Sequence, residues 1–364
     1  MSKADQKARK SGSDAPKRYN AITDVPGIEV GHCTDIGNLT GTTVILIRGG
    51  AVAGIDVRGS APGTRETDAI NPINLIEKVH AVVLTGGSAY GLAAADGVMS
   101  YLEAHGIGFP LGDGNVVPIV PGAALYDLAR GGTPFSGRPT AAFGMTACEE
   151  AKTGPVEQGT VGAGTGALTG ILIGNELKGG LGTASTNLGN GIMVGALVAV
   201  NSGGSTVNPE TGEFYAAFLE TSNEFGGLKA ASTASLRADK NETITHGPHR
   251  TTNTTIAAVA TNVELTKSQA TKVAQMAHDG MARAILPAHT MFDGDTIFAL
   301  STGERAIVDL EKEGMWGDMA ARINMIGSAA ADTLARAIIH GMLAATSIGG
   351  MQSYADRYVQ NQKR

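Results

Sequence analysis

The sequence has no long apolar run. No stretch reaches the ~18 consecutive apolar residues that a membrane-spanning helix needs. Residues 1–19 are polar and carry Lys and Arg, with no apolar segment behind them, so no secretory leader is expected either. Cysteine is nearly missing. Cys33 and Cys148 are the only two and lie far apart, which excludes a disulfide framework. Cys148 sits in an apolar stretch and reads as a buried thiol. Aromatics make up only 4%, with Trp316 the sole tryptophan, so a core must be built from small and β-branched side chains. Charged residues are 17% and the net charge is −6, which gives no basic footprint for nucleic acid. These absences lead us to expect a soluble cytoplasmic protein, bound to neither membrane nor nucleic acid.

What is abundant is glycine. There are 51 glycines in 364 residues, without a collagen period and set among Ala, Val, Ile and Thr. They suit tight turns, close backbone packing and backbone-lined pockets. With 42% hydrophobic residues the chain can bury a substantial core.

Residues 1–21 read as a flexible tail and 22–364 as one domain. Strands are expected at Thr43–Ile47, Ala81–Leu84, Met193–Val200, Thr255–Thr261 and Ile297–Leu300. Gly86-Gly87 turns the second of these into a helix with Leu92, Ala95, Val98, Met99 and Leu102 on one face and Gly106 as its stop. Residues 106–160, rich in Gly and Pro, show few long periodic segments. Asn208–Arg250 is polar and reads as an exposed linker, with Gly247-Pro248 as a breaker. Thr266 and Gln269 stand in capping-box spacing before a helix that buries Val273, Ala277, Met281 and Ala284. A long helix over Met319–Ala345 repeats Ile323, Ile326, Ala330, Leu334, Ile338 and Met342. Strands and helices come in blocks, which favours sheets covered by helices.

The junction Asn253-Thr254-Thr255-Ile256 is the most informative place. A polar linker stops there, and a small hydroxyl residue opens a buried strand. A self-cleaving hydrolase needs that arrangement: the hydroxyl attacks the preceding carbonyl, and the freed α-amine then serves the hydroxyl as its base. On local sequence alone an ordinary strand start is the plainer reading, and Asn253 also heads an Asn-x-Thr sequon, as do Asn38 and Asn241. Asp293-Gly294-Asp295 places two carboxylates in a tight turn before a strand, fit to polarise a hydroxyl or orient an ammonium group; a solvated turn is the alternative. Three further motifs fall short. Gly162–Ala167 fits the dinucleotide pattern but has no clear strand before it or helix after it. Ser88 follows a strand and opens a helix, yet Tyr90 stands where a nucleophile elbow needs glycine. His246 and His249 are spaced for a metal but read more simply as loop histidines.

Seven segments in order resemble one family, the self-processing aminopeptidase/D-esterase family that includes β-peptidyl aminopeptidases and nylon-oligomer hydrolases. They are AVVLTGGSAYGLAAADGV (81–98), VPIVPGAALYDL (117–128), VGAGTGA (161–167), KGGLGTAS (178–185), VGALVAVN (194–201), NTTIAAVATN (253–262) and FDGDTIFALSTG (292–303). The resemblance implies an α/β (α+β) fold of four layers, two β-sheets packed together with helices outside, of the N-terminal-nucleophile type. It implies self-cleavage into 1–253 and 254–364, with Thr254 as nucleophile and Asn253 before the cut. Asn201 falls on an oxyanion donor, Tyr126 on a tyrosine lining the pocket, and Asp293 and Asp295 on an acidic pair beside the nucleophile. It also implies a homotetramer acting on short peptides or amino-acid amides, with no cofactor and no metal. The nylon-oligomer branch carries a lysine where this chain has Ile171. Alternatives are an acyltransferase of the ornithine acetyltransferase type, a polyamide-oligomer hydrolase, and a binding protein that has lost the chemistry.

Overall fold

The computed structural model describes residues 17–228, 253–310 and 318–359. Nine strands carry the architecture: β1 (Glu29–Asp35), β2 (Thr40–Val57), β3 (Gly63–Arg65), β4 (Val79–Thr85), β5 (Gly122–Ala124), β6 (Gly180–Asn187), β7 (Met193–Val200), β8 (Ile256–Val263) and β9 (Thr296–Arg305). Four helices pack on them: α1 (Ala94–Ala104), α2 (Ala141–Glu149), α3 (Lys267–Ala284) and α4 (Asp318–Ala344).

Alternation along each strand creates the layers, because successive side chains point to opposite faces. In β8, Ala257 and Val259 join the cluster of α3 and α4, whereas Ile256, Ala258 and Ala260 face the other sheet. In β9, Ile297 and Ala299 face the helices while Phe298 and Leu300 face inward. In β2, Ile45 and Ile47 fill the space between the sheets, and Val44 and Leu46 turn to α1 and α2. The order is helices, sheet, sheet, helices: the expected four-layer sandwich.

The two sheets are not separate. The predicted strand Thr43–Ile47 is the middle of an 18-residue strand. Its first part pairs with β1 and β4, and its last part, Val52–Val57, pairs with β9. A register shift between Leu46 and Ala51, at Gly49-Gly50, carries β2 from one layer to the next. The strand path runs β6-β7-β8-β9-β2-β4-β5-β3.

The helices form where periodicity and caps place them. Thr266 Oγ1 accepts from the Gln269 amide while Gln269 Oε1 accepts from the Thr266 amide, a closed capping box. In α4, Ile326, Ala330, Leu334, Ile338 and Met342 are buried. The helix lies close on the sheet because Gly182 has no side chain; a Cβ there would stand 2.0 Å from the Ala337 carbonyl oxygen.

Two expectations are corrected. Ala21 is fully buried, so the ordered body begins before residue 22. Asn208–Arg250 is not an exposed linker throughout: Phe214, Ala216 and Phe225 belong to the core under α4. Glu224 anchors this segment. Its carboxylate takes a two-pronged bond from Arg336, at 2.6 and 2.8 Å, and further bonds from His340 (2.8 Å) and Asn20 (2.7 Å). Burial opposes its ionisation, but the His340 and Arg336 bonds and the guanidinium charge together hold it well below the usual carboxylate range. A depressed carboxylate stabilises the fold above its unfolded pKa, about 4.5, and that contribution is lost as pH falls below it. Glu224→Gln leaves a buried guanidinium without its counter-charge. It is expected to cost about 3 kcal/mol in urea unfolding at pH 7, and to lose that deficit against the parent as pH falls below 4. The rest of the proposed linker, including Gly247-Pro248, His246 and His249, lies outside the described residues, as does Trp316.

Candidate active site

Register alone brings the key residues to one sheet end. β7 runs antiparallel to β8 with Ala199 opposite Ile256, so Asn201 is level with Thr254. β8 runs parallel to β9 with Ile256 beside Thr296, so Gly294 is level with Thr254 and Asp293 with Asn253. Residues distant in sequence thus meet where three strands begin or end.

Thr254 is 5% exposed and Asn253 fully buried. The Thr254 hydroxyl donates to the Asn253 carbonyl oxygen at 2.5 Å. The Gly294 amide donates to that same carbonyl oxygen and to Thr254 Oγ1, each at 3.2 Å. The Thr254 amide donates to the Asn201 carbonyl at 2.7 Å. One peptide unit is therefore held from both sides with a hydroxyl over its carbonyl and an N–H donor on its oxygen.

Asp293 and Asp295 are buried on either side of Gly294. Asp293 accepts from the Gly203 amide (3.1 Å) and from the amide (2.9 Å) and hydroxyl (2.6 Å) of Thr290. Asp295 accepts from the Thr255 amide (2.9 Å), and its other oxygen from the His289 amide (3.0 Å) and ring Nδ1 (2.8 Å). These bonds lock the turn under Thr254. Burial first, and the neighbouring Asp295 charge second, raise the Asp293 carboxyl above its ordinary value.

Asn201 is fully buried. Its Oδ1 accepts from the Leu168 amide at 3.0 Å and from Arg130 at 3.3 Å, and its Nδ2 donates to the Tyr126 carbonyl at 3.3 Å. Tyr126 thus enters the site through its carbonyl, which also accepts from Arg130 at 3.0 Å.

Behind this wall lies a buried charge cluster. Asp127 accepts from the Gly87 amide and the Thr40 hydroxyl, and burial pushes its carboxyl up to about 6 against the pull of those bonds and of Arg130. The Lys178 ammonium donates to the Gly164 and Gly179 carbonyls, and burial, helped by the Arg130 charge, brings it down to about 7. Gly86-Gly87, which looked like a nucleophile turn, serves this cluster. Ser88 stands at φ 53 with its amide on the Leu125 carbonyl, and among the described residues its hydroxyl has no histidine bonded to it. Gly162–Gly164 forms a single 3₁₀ turn whose first two amides go to Thr34 and Thr43 hydroxyls, not to an open phosphate site.

Sequence reasoning missed Arg130, Gly294 as a donor, and the Thr290 and His289 bonds to the acidic pair. Only Gly294 carried a signal, as the residue between two aspartates. It is glycine for space: a Cβ there would lie 2.6 Å from the Ala61 carbonyl oxygen and 2.8 Å from Thr254 Oγ1. Gly294→Ala is expected to displace the Thr254 hydroxyl and, if that hydroxyl is the nucleophile, to slow amide hydrolysis by about 10²-fold, read by amidase kinetics.

Among the described residues no group of three or more His, Cys, Asp or Glu is placed to hold a metal ion, and no helix is long and apolar enough to cross a membrane.

Two sheets packed face to face between helix layers, with a hydroxyl residue opening an inner strand, define the N-terminal-nucleophile hydrolase architecture. The chain belongs to peptidase family S58, whose model matches residues 20–355, and it is a hydrolase. It is 44% identical over 351 residues to a protein named as an uncharacterized aminopeptidase from Mycobacterium tuberculosis (strain ATCC 25618 / H37Rv), covering 93% of this chain and 98% of that one. It is 32% identical over 286 residues to the 6-aminohexanoate-oligomer endohydrolase of Paenarthrobacter ureafaciens, covering 77% and 74%. The solved L-aminopeptidase D-Ala-esterase/amidase from Ochrobactrum anthropi, described as a variant of the Ntn hydrolase fold, superposes with a TM-score of 0.66 at 25% identity, covering 93% and 90%.

Proposed function

We propose that the chain cuts itself between Asn253 and Thr254, and that Thr254 then hydrolyses amide bonds at the free amino end of short peptides or amino-acid amides. The observation that carries this reading is the Thr254 hydroxyl at 2.5 Å from the Asn253 carbonyl oxygen, with the Gly294 N–H on both. In the first step Thr254 Oγ1 bonds to the Asn253 carbonyl carbon and the C–N bond breaks, giving an ester and a free Thr254 amine. Water then hydrolyses the ester and leaves Asn253 as a carboxylate.

In turnover the amine, with an ordinary pKa of about 7.7–8.0, takes the hydroxyl proton and passes it to the leaving amine. We assign the oxygen charge in the tetrahedral intermediates to the Gly294 N–H, which already lies on the Asn253 carbonyl oxygen, and to the Asn201 side-chain amide, whose Nδ2 donates to the Tyr126 carbonyl before the cut and would turn from it. Asp293 and Asp295 hold the turn that positions Thr254 and supply the negative potential that favours an ammonium nearby. Tyr126 orients Asn201. With this reading go a homotetrameric assembly, a single domain cut into 1–253 and 254–364, and a cytoplasmic site of action. The apolar Ile171, buried with Leu39, Leu168 and Met351 between Gly170 and Leu172, whose amides bond the 202–204 segment, weighs against a direct assignment to 6-aminohexanoate oligomers.

Purified protein incubated with an alanyl anilide should release the amine and alanine with no acceptor but water. Transfer of an acetyl group from acyl-ornithine to glutamate, without anilide hydrolysis, would instead make it an acyltransferase.

A further inference from the structure

The acyl part of a substrate must occupy the place that Asn253 occupies before the cut, because the same hydroxyl and the same oxyanion donors act on both carbonyls. What surrounds the Asn253 side chain therefore describes the pocket for the substrate's first residue. Arg130 Nη2 lies 3.4 Å from Asn253 Oδ1 and also touches the Asn201 oxygen and the Tyr126 carbonyl. Arg130 Nε is buried with no hydrogen-bond partner, and so is Asn253 Nδ2. Asn253 Nδ2 belongs to the occupant and leaves with it, so the buried donor without a partner that the pocket itself keeps is on the Arg130 guanidinium. Unsatisfied buried donors are costly, so an incoming acceptor gains by filling them. Asp127 and Glu176 both bear on the guanidinium through their charge, while the two oxygens of Asp127 take their hydrogen bonds from Gly87 and Thr40.

Resting on the proposed aminopeptidase reading, we infer that Arg130 makes the acyl pocket selective for residues carrying a carboxylate or carboxamide one methylene from Cα, that is, aspartyl and asparaginyl amides. The spacing is that of Asn253 itself, whose amide oxygen is two bonds beyond Cβ. A carboxylate there meets the guanidinium with charge-assisted bonds, whereas a lysyl side chain would bring a second cation against Arg130. The reaction is the same hydrolysis; only the acyl group is specified.

The test is kcat/KM on the p-nitroanilides of Asp, Asn, Ala and Lys, with processed wild type and Arg130→Gln. The wild type should favour Asp and Asn over Lys by about 10–100-fold, the range for a hydrogen bond to a charged group. Arg130→Gln should shrink the Asp-to-Lys ratio towards unity. The ratio decides, since Arg130 also touches Asn201 and its loss slows every substrate. A wild type that prefers Lys or Ala, or a ratio unchanged in the variant, overturns the inference. If the variant fails to fold or cut, inhibition of the wild type by free products decides: aspartate should inhibit about tenfold more tightly than lysine, and equal inhibition overturns the inference. A cut chain that turns over none of the four anilides overturns the aminopeptidase reading itself, a result distinct from turnover without selectivity.

Discussion

Thr254→Ala is expected to give one uncut, folded and inactive chain, because in the proposed mechanism self-cleavage and turnover need the same hydroxyl. Its fold should survive: the amide bond to Asn201 and the buried strand behind it do not involve the hydroxyl. Thr254→Ser keeps the nucleophile and should cut and retain part of the activity; without the methyl its χ1 is freer and the hydroxyl less well aimed. Thr255→Ala is the control. Its hydroxyl is buried with no hydrogen-bond partner, and its tie to Asp295 runs through the backbone amide. Both cleavage and turnover should persist. If Thr254→Ala still cuts and hydrolyses amides while Ser88→Ala does not, the nucleophile is Ser88.

Asn201→Ala should slow turnover by about 10²–10³, the usual consequence of losing one oxyanion donor, about 2.7–4 kcal/mol. Cleavage should slow too, since it passes through a similar tetrahedral intermediate. Alanine also removes the acceptor for the buried Leu168 amide and for Arg130, so some of the loss is structural. Asn201→Asp separates the two effects. It keeps an oxygen for Leu168 and Arg130 but lacks the amide donor. A folded Asn201→Asp protein with a comparable rate loss assigns the effect to the donor; unchanged kinetics in Asn201→Ala removes the residue from the mechanism.

The elements that carry the candidate site were legible because they rest on strong local signals. β7 runs over Met193–Val200 as expected and delivers Asn201 at its end. β8 starts at Ile256, two residues after the hydroxyl that follows the polar stretch. The capping box at Thr266 closes as expected.

What escaped did so for physical reasons. The α2 helix buries Gly144, Ala147 and Cys148, small residues that pack by backbone approach and leave little apolar period. β6, Gly-Leu-Gly-Thr-Ala-Ser-Thr-Asn, is poor in strand formers and is held by pairing with β7. β2 was read short because Arg48-Gly49-Gly50 looks like a stop, whereas it is the bend between layers. Phe214 and Phe225 were lost among the polar residues of a segment that they anchor. Arg130 had no pattern around it; only the fold brings it to Asn201 and Asn253.

The proposed chemistry turns on one bond, the peptide between Asn253 and Thr254. Intact mass and N-terminal sequencing of the purified protein after prolonged incubation at neutral pH test it directly. Two chains are expected, the smaller beginning Thr254-Thr255-Ile256-Ala257 and ending at Arg364. A single uncut chain with full amidase activity would contradict that chemistry.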